Sequence, residues 1–121
     1  MAYTTIDDPT LYFNTVLYAG TGSEQTVSGV NFSPGLTWLK SRSNGQPNVL
    51  SDSVRGGNKQ LYSADTQAET TYGQYLKSFN SDGFVLGTDS GINQSSQTFV
   101  SWNWKAGGSA SNNTDGNKTI S

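Results

Sequence analysis

Short runs rich in β-branched and aromatic residues recur along this chain, and a turn-forming cluster closes each one. The first is Phe13-Asn14-Thr15-Val16-Leu17-Tyr18, ended by Ala19-Gly20-Thr21-Gly22-Ser23. Thr26 to Phe32 follows, with Gly29 inside it, and Ser33-Pro34-Gly35 closes it. Further runs are Leu36 to Arg42, Val49 to Val54, Lys59 to Ser63, Tyr75 to Asn80, Phe84 to Thr88 and Gln97 to Lys105. No apolar stripe of helical period lies between them. Residues 64–74 are the least patterned, and Ala64 to Glu69 offers at most one helical turn. Parallel strands need long crossover connections, usually helical, so a parallel α/β sheet is excluded. The pattern predicts an all-β fold, an antiparallel β-sandwich or barrel.

Two strand segments carry the strongest local signals. Ser81-Asp82-Gly83 separates two β-patterned runs, and Asp-Gly in that setting predicts a hairpin. In Gln97 to Lys105 the alternation puts Val100, Trp102 and Trp104 on one face, and Phe99, Ser101 and Asn103 on the other. Leu36 and Trp38 likewise share a face. A small sandwich with few aliphatics needs large apolar area inside, so Trp38, Trp102 and Trp104 are expected to build the core.

Composition supports a β protein with many turns. Hydrophobic residues make up 32 % and charged residues 13 %, against usual shares of roughly 45–50 % and 25 %. Disordered chains combine low hydrophobicity with high net charge and few aromatics, whereas this chain has a net charge of -2 and 12 % aromatics. The same charge argues against nucleic-acid binding, which needs clustered Lys and Arg; only Lys40 and Arg42 lie close together. No apolar run approaches the ~20 residues of a membrane span, so no membrane insertion is expected. The start of the sequence lacks the basic and apolar segments of a signal peptide, which predicts synthesis in the cytoplasm.

The chain has no Cys and no His. Thiolate chemistry, disulfides, the commonest general base and the commonest transition-metal ligand are therefore missing. A glycosidase would need two carboxylates about 5 Å or about 6.5–9.5 Å apart. Asp82, Asp89 and Asp115 sit in Gly- and Ser-rich turns, where Asp serves its own backbone. A Gly-x-Ser-x-Gly nucleophile turn is absent. Calcium is the one realistic ion, with Asp7-Asp8 and the Asp89 loop as candidate ligands, but no Asp-x-Asp-x-Asp-Gly run concentrates them. The expectation is a non-enzymatic protein with no catalytic residue, cofactor or metal site.

Contact surfaces remain. Tyr62, Tyr72 and Tyr75 border the unpatterned loop and form a candidate contact patch. Residues 1–12 are polar, and Pro9 pushes Asp8 to extended geometry, which predicts an extended arm. Tyr3, Ile6, Asp7, Asp8 and Pro9 are its candidate anchoring residues, adding an edge strand to a partner. Residues 13–106 are the expected domain, and 107–121 read as a flexible polar linker ending in Thr119-Ile120-Ser121.

Several blocks, read in order, carry a resemblance. They are Val16-Leu17-Tyr18-Ala19-Gly20-Thr21-Gly22-Ser23, Val27-Ser28-Gly29-Val30-Asn31-Phe32-Ser33-Pro34, Trp38-Leu39-Lys40-Ser41-Arg42-Ser43, Asp52-Ser53-Val54-Arg55-Gly56, Leu76 to Gly87, and Val100-Ser101-Trp102-Asn103-Trp104-Lys105-Ala106. The series resembles an uncharacterised domain that recurs in structural proteins of marine bacteriophages and their hosts. That domain is similar to the concanavalin-A-like and SPRY-like sandwiches, which implies a concanavalin-A-like, jelly-roll type of sandwich. The resemblance spans residues 13–106 and has no established catalytic residues to carry over. It implies a virion component, often with the domain repeated, and the linker then leads toward a further repeat of a longer chain. The expected role is the particle-anchoring N-terminal domain of a tail fibre or spike, a homo-oligomer contacting other virion proteins and, as is usual for fibres, trimeric. The alternatives are a capsid decoration protein and a lectin-like module for a host surface glycan.

Overall fold

The computed structural model describes residues 7–106 and residue 112. The arm residues Tyr3 and Ile6, and the linker 107–121 apart from Asn112, lie outside the described residues. Two antiparallel sheets stack as a β-sandwich, as the turn-punctuated sequence predicts. The larger has six strands. In chain order these are β1 (Phe13–Ala19), β3 (Leu36–Ser41), β4 (Val49–Asp52), β5 (Lys59–Tyr62), β6 (Thr70–Thr71) and β9 (Thr98–Trp104). Their spatial order is β1-β9-β3-β4-β5-β6. The smaller sheet joins β2 (Gln25–Val27), β8 (Gly83–Leu86) and β7 (Leu76–Asn80) in the order β2-β8-β7. A single helical turn, α1 (Ser90–Asn93), leads into β9.

The core lies between the sheets. Val27, Val30, Phe32, Leu39, Val49, Leu76, Phe84, Leu86 and Ile92 are buried there, with Val16, Tyr18, Tyr62, Tyr75 and Phe79 packed against them. Tyr18 stacks on buried Phe99 at 5.2 Å and meets Phe84 edge-on at 6.3 Å. Burying each large side chain contributes about 1.5–3 kcal/mol. Those contacts also fix the register, because a one-residue slip would send every inward side chain outward.

The three tryptophans are not in this core, contrary to expectation. In β9 it is Phe99, Ser101 and Asn103 that face inward, while Trp102 and Trp104 stand half-buried on the outer face. In β3 the inward residues are Thr37, Leu39 and Ser41, and Trp38 faces out. The interior beneath these strands is polar. One row crosses the sheet through Asn14, Asn103, Thr37 and Ser51, and the register continues it to Gln60 and Thr70. Asn103 accepts the Thr37 hydroxyl at 2.9 Å and donates to Asn14 O at 3.2 Å and Ser101 Oγ at 3.0 Å. Small polar groups fill this space; hydrogen bonding offsets the cost of burying Asn103, Thr37 and Ser101, whereas Ser51 Oγ, Gln60 Oε1 and Thr70 Oγ1 are buried without a partner among the described residues.

Four local expectations are also revised. The Thr26–Phe32 run is strand only to Val27, because Gly29 and Asn31 adopt positive φ of 93° and 74° and turn the chain away. Asp82 holds that turn. Its carboxylate accepts from Gly29 N at 3.0 Å and Asn31 N at 2.8 Å, and its carbonyl from Val30 N. The predicted hairpin is present, but its turn is Ser81-Asp82, and Gly83 lies in the strand opposite Asn80. Gly83 is needed for close approach instead, since a Cβ there would sit 1.9 Å from Val27 O. Residues 64–69 form no helix, and the short β6 follows them. Finally, the arm is not extended throughout. Asp8 has extended φ and ψ, but it caps a 3-10 turn at Pro9–Leu11, where Pro at the first position is pre-organised for helical geometry.

Candidate interaction surface

The outer face of the large sheet carries accessible aromatic and aliphatic side chains. Its composition follows from pairing. Trp38 lies opposite Trp102 and Phe13 opposite Trp104, so each pair meets across adjacent strands. Ring centroids are 5.3 Å apart in the first pair and 5.1 Å in the second, both tilted. Trp38 Nε1 donates to Asn48 Oδ1 at 3.1 Å, which satisfies the indole's one polar group and fixes its plane. Leu17 continues the face and is 59 % exposed, and Phe13 is 39 % exposed. Contiguous exposed apolar area marks an interaction site more often than scattered single residues do.

Across the sheet the character changes. Toward β4 and β5 the outward positions include Asp52 and Lys59, joined by Arg55 and Glu69. Arg55 Nε lies 2.9 Å from Asp52 Oδ2 and Nη1 lies 2.7 Å from Glu69 Oε2. The Glu69 hydrogen bond and the nearby Asp52 charge hold the Arg55 guanidinium charged, above its ordinary value. The face thus grades from aromatic at β1, β9 and β3, with Lys40 at one end of β3, to ion-paired at β4 and β5.

Of the three candidate contact tyrosines, only Tyr72 is exposed. Tyr72 and Tyr75 rings lie 5.2 Å apart. Tyr62 and Tyr75 are half-buried against the core. Burial raises the Tyr75 hydroxyl, and hydrogen bonding to Tyr62 and the nearby Asp89 carboxylate raise it further, so it stays protonated. Of the anchoring residues, Asp7, Asp8 and Pro9 are exposed beside β1.

The acidic candidates serve the backbone. Asp8 accepts from Thr10 N at 3.0 Å and Thr10 Oγ1 at 2.6 Å, and these bonds lower its carboxyl below the ordinary value. Asp89 accepts from Gly91 N at 2.7 Å as the cap of α1. Among the described residues no group of three His, Cys, Asp or Glu converges as metal ligands do. No helix among them is long and apolar enough to cross a membrane.

Sequence reasoning missed the tryptophan face. Alternation within a strand says which residues share a face but not which face is buried. The polar row opposite becomes visible only when six strands are set in register.

No curated protein and no solved structure matches this chain. Residues 8–121 match a domain of unknown function, DUF7483, and the chain belongs to that family.

Proposed function

We propose that this domain is a non-enzymatic structural module of a bacteriophage particle, the particle-anchoring domain of a tail fibre or spike. The half-exposed aromatic face of the large sheet carries this reading. It offers Phe13, Leu17, Trp38, Trp102 and Trp104 as a broad apolar surface suited to another protein. The resemblance of residues 13–106 to a concanavalin-A-like domain of phage structural proteins supplies the context.

A lectin-like role is the second reading, favoured by the exposed Tyr72 ring, which lies tilted beside Tyr75. Aromatic faces of this type pack against sugar rings.

Mass spectrometry of purified particles tests the first reading. Peptides of this chain at a few to a few tens of copies per particle support an appendage. Hundreds of copies point to capsid decoration, and absence from particles overturns the virion reading. Binding of host polysaccharide that is lost on Tyr72→Ala supports the lectin alternative.

A further inference from the structure

We infer that the domain pairs with a second copy of itself through the free edge of β1, joining two six-stranded sheets into one. This goes beyond the virion reading and does not depend on it.

Among the described residues, β1 is bonded only on its β9 side. Lys105 N donates to Tyr12 O and Gly20 N donates to Gln97 O, so even-numbered residues turn their peptide groups toward β9. In an antiparallel ladder the odd-numbered residues Phe13, Thr15, Leu17 and Ala19 then turn theirs to the open edge. Two of these groups have local partners. Thr15 N donates to Asn14 Oδ1 at 3.0 Å, and Ala19 O accepts from Gln25 Nε2 at 2.9 Å. The edge available for pairing is therefore Phe13 to Leu17, centred on Thr15, whose N–H would exchange the exposed Asn14 Oδ1 for the Thr15 carbonyl of a second copy.

Proteins usually protect a long edge with a charge, a proline, a bulge or a cover. β1 is seven residues long, regular in its pairing, and holds no charged residue and no proline. The opposite edge of the same sheet, β6, has only two residues, and Glu69 precedes it. The unprotected edge also borders the aromatic half of the outer face, while the ion-paired half lies at the far side.

A second copy is the occupant that this strand fits. Antiparallel self-pairing about Thr15 sets Thr15 opposite Thr15 and Phe13 opposite Leu17, twice. The exposed phenyl and isobutyl groups then cover each other on the outer face, and no charge meets a like charge. Rows continue across the junction, Leu36–Trp104–Phe13 against Leu17–Val100–Lys40 of the second copy. The register leaves the Gln25-bonded Ala19 outside the paired stretch.

Sedimentation equilibrium of the full 121-residue chain over about 1–500 µM reads weak to moderate association. The expected result is a monomer–dimer equilibrium. Leu17→Lys, at an exposed position, should keep the circular dichroism spectrum and weaken the dimer by about tenfold or more. The chain has no cysteine, so introduced thiols report cleanly. Under mild oxidation Thr15→Cys should cross-link, since facing residues in such a pair are about 5.5 Å apart. Ala19→Cys should not, because its two copies would stand about 27 Å apart at about 3.4 Å per residue. A monomer throughout, a dimer indifferent to Leu17→Lys, or a Thr15→Cys chain that does not cross-link would overturn the inference. So would a trimer, because a self-complementary edge closes at two. A trimer found in particles would leave the virion reading standing, and a dimer absent from particles would remove that reading alone.

Discussion

Trp38 and Trp102 face each other across β3 and β9 with ring centroids 5.3 Å apart, on the side of the sheet turned away from the core. Their partial exposure should make the folded protein's tryptophan fluorescence open to acrylamide quenching. Removing one ring should cost much less than removing a core ring. Trp102→Ala is expected to cost about 1–2 kcal/mol, set by cross-strand packing and partial burial. Phe84→Ala should cost about 3–5 kcal/mol, because Phe84 is fully buried. Urea midpoints of the two variants measure the difference, and equal losses would place the indoles in the core after all.

The polar row inside the large sheet should respond unevenly to substitution. Asn103→Ala leaves the buried Thr37 hydroxyl without its acceptor and removes the side-chain bonds to Asn14 O and Ser101 Oγ, a loss of about 1–3 kcal/mol. Ser51 Oγ is buried and has no hydrogen-bond partner among the described residues. Ser51→Ala should therefore be neutral or gain up to about 1 kcal/mol. Thermal melts of both variants test the contrast, and a large loss for Ser51→Ala would mean that its hydroxyl is bonded in solution.

Gly83→Ala places a Cβ 1.9 Å from Val27 O, backbone that cannot swing aside. Overpacking of this kind costs about 1–3 kcal/mol or more, and a drop in melting temperature with loss of near-UV dichroism is expected. Gly45 has nothing within 4 Å of its added Cβ, so Gly45→Ala should be neutral or slightly stabilising. Similar melts for the two variants would show that β2 and β8 are not held this close.

Asp82 links stability to pH. Hydrogen bonds from Gly29 N and Asn31 N lower its carboxyl below the ordinary value of 3.8. A carboxyl lowered on folding stabilises the folded state above the unfolded pKa, and that stability is lost as pH falls through the folded pKa. The contribution should be complete at neutral pH and fade below about pH 4. Asp82→Asn should lower the melting temperature at pH 7 and narrow its difference from the parent as the pH falls. Parallel melting curves of parent and variant from pH 7 to pH 2.5 would contradict this role.

The sequence by itself determined the class of fold and most strands. Period-two alternation and turn chemistry are local, so β1, β3, β5, β9 and the β7–β8 hairpin are legible without any partner. Gly29 and Asn31 cut β2 short through an anchor 51 residues away, where Asp82 binds Asn31 N, and no local signal carries that. Which face of β9 is buried was likewise a tertiary decision. Both faces of the strand alternate cleanly, and the richer face would have gone inside on area alone. The inward register was set by Phe99 against Tyr18 and by the bonds of Asn103 to Thr37 and Asn14, on two other strands far from β9 in sequence. Side chains on one strand choose an inside only when the other strands supply the contacts that make it one.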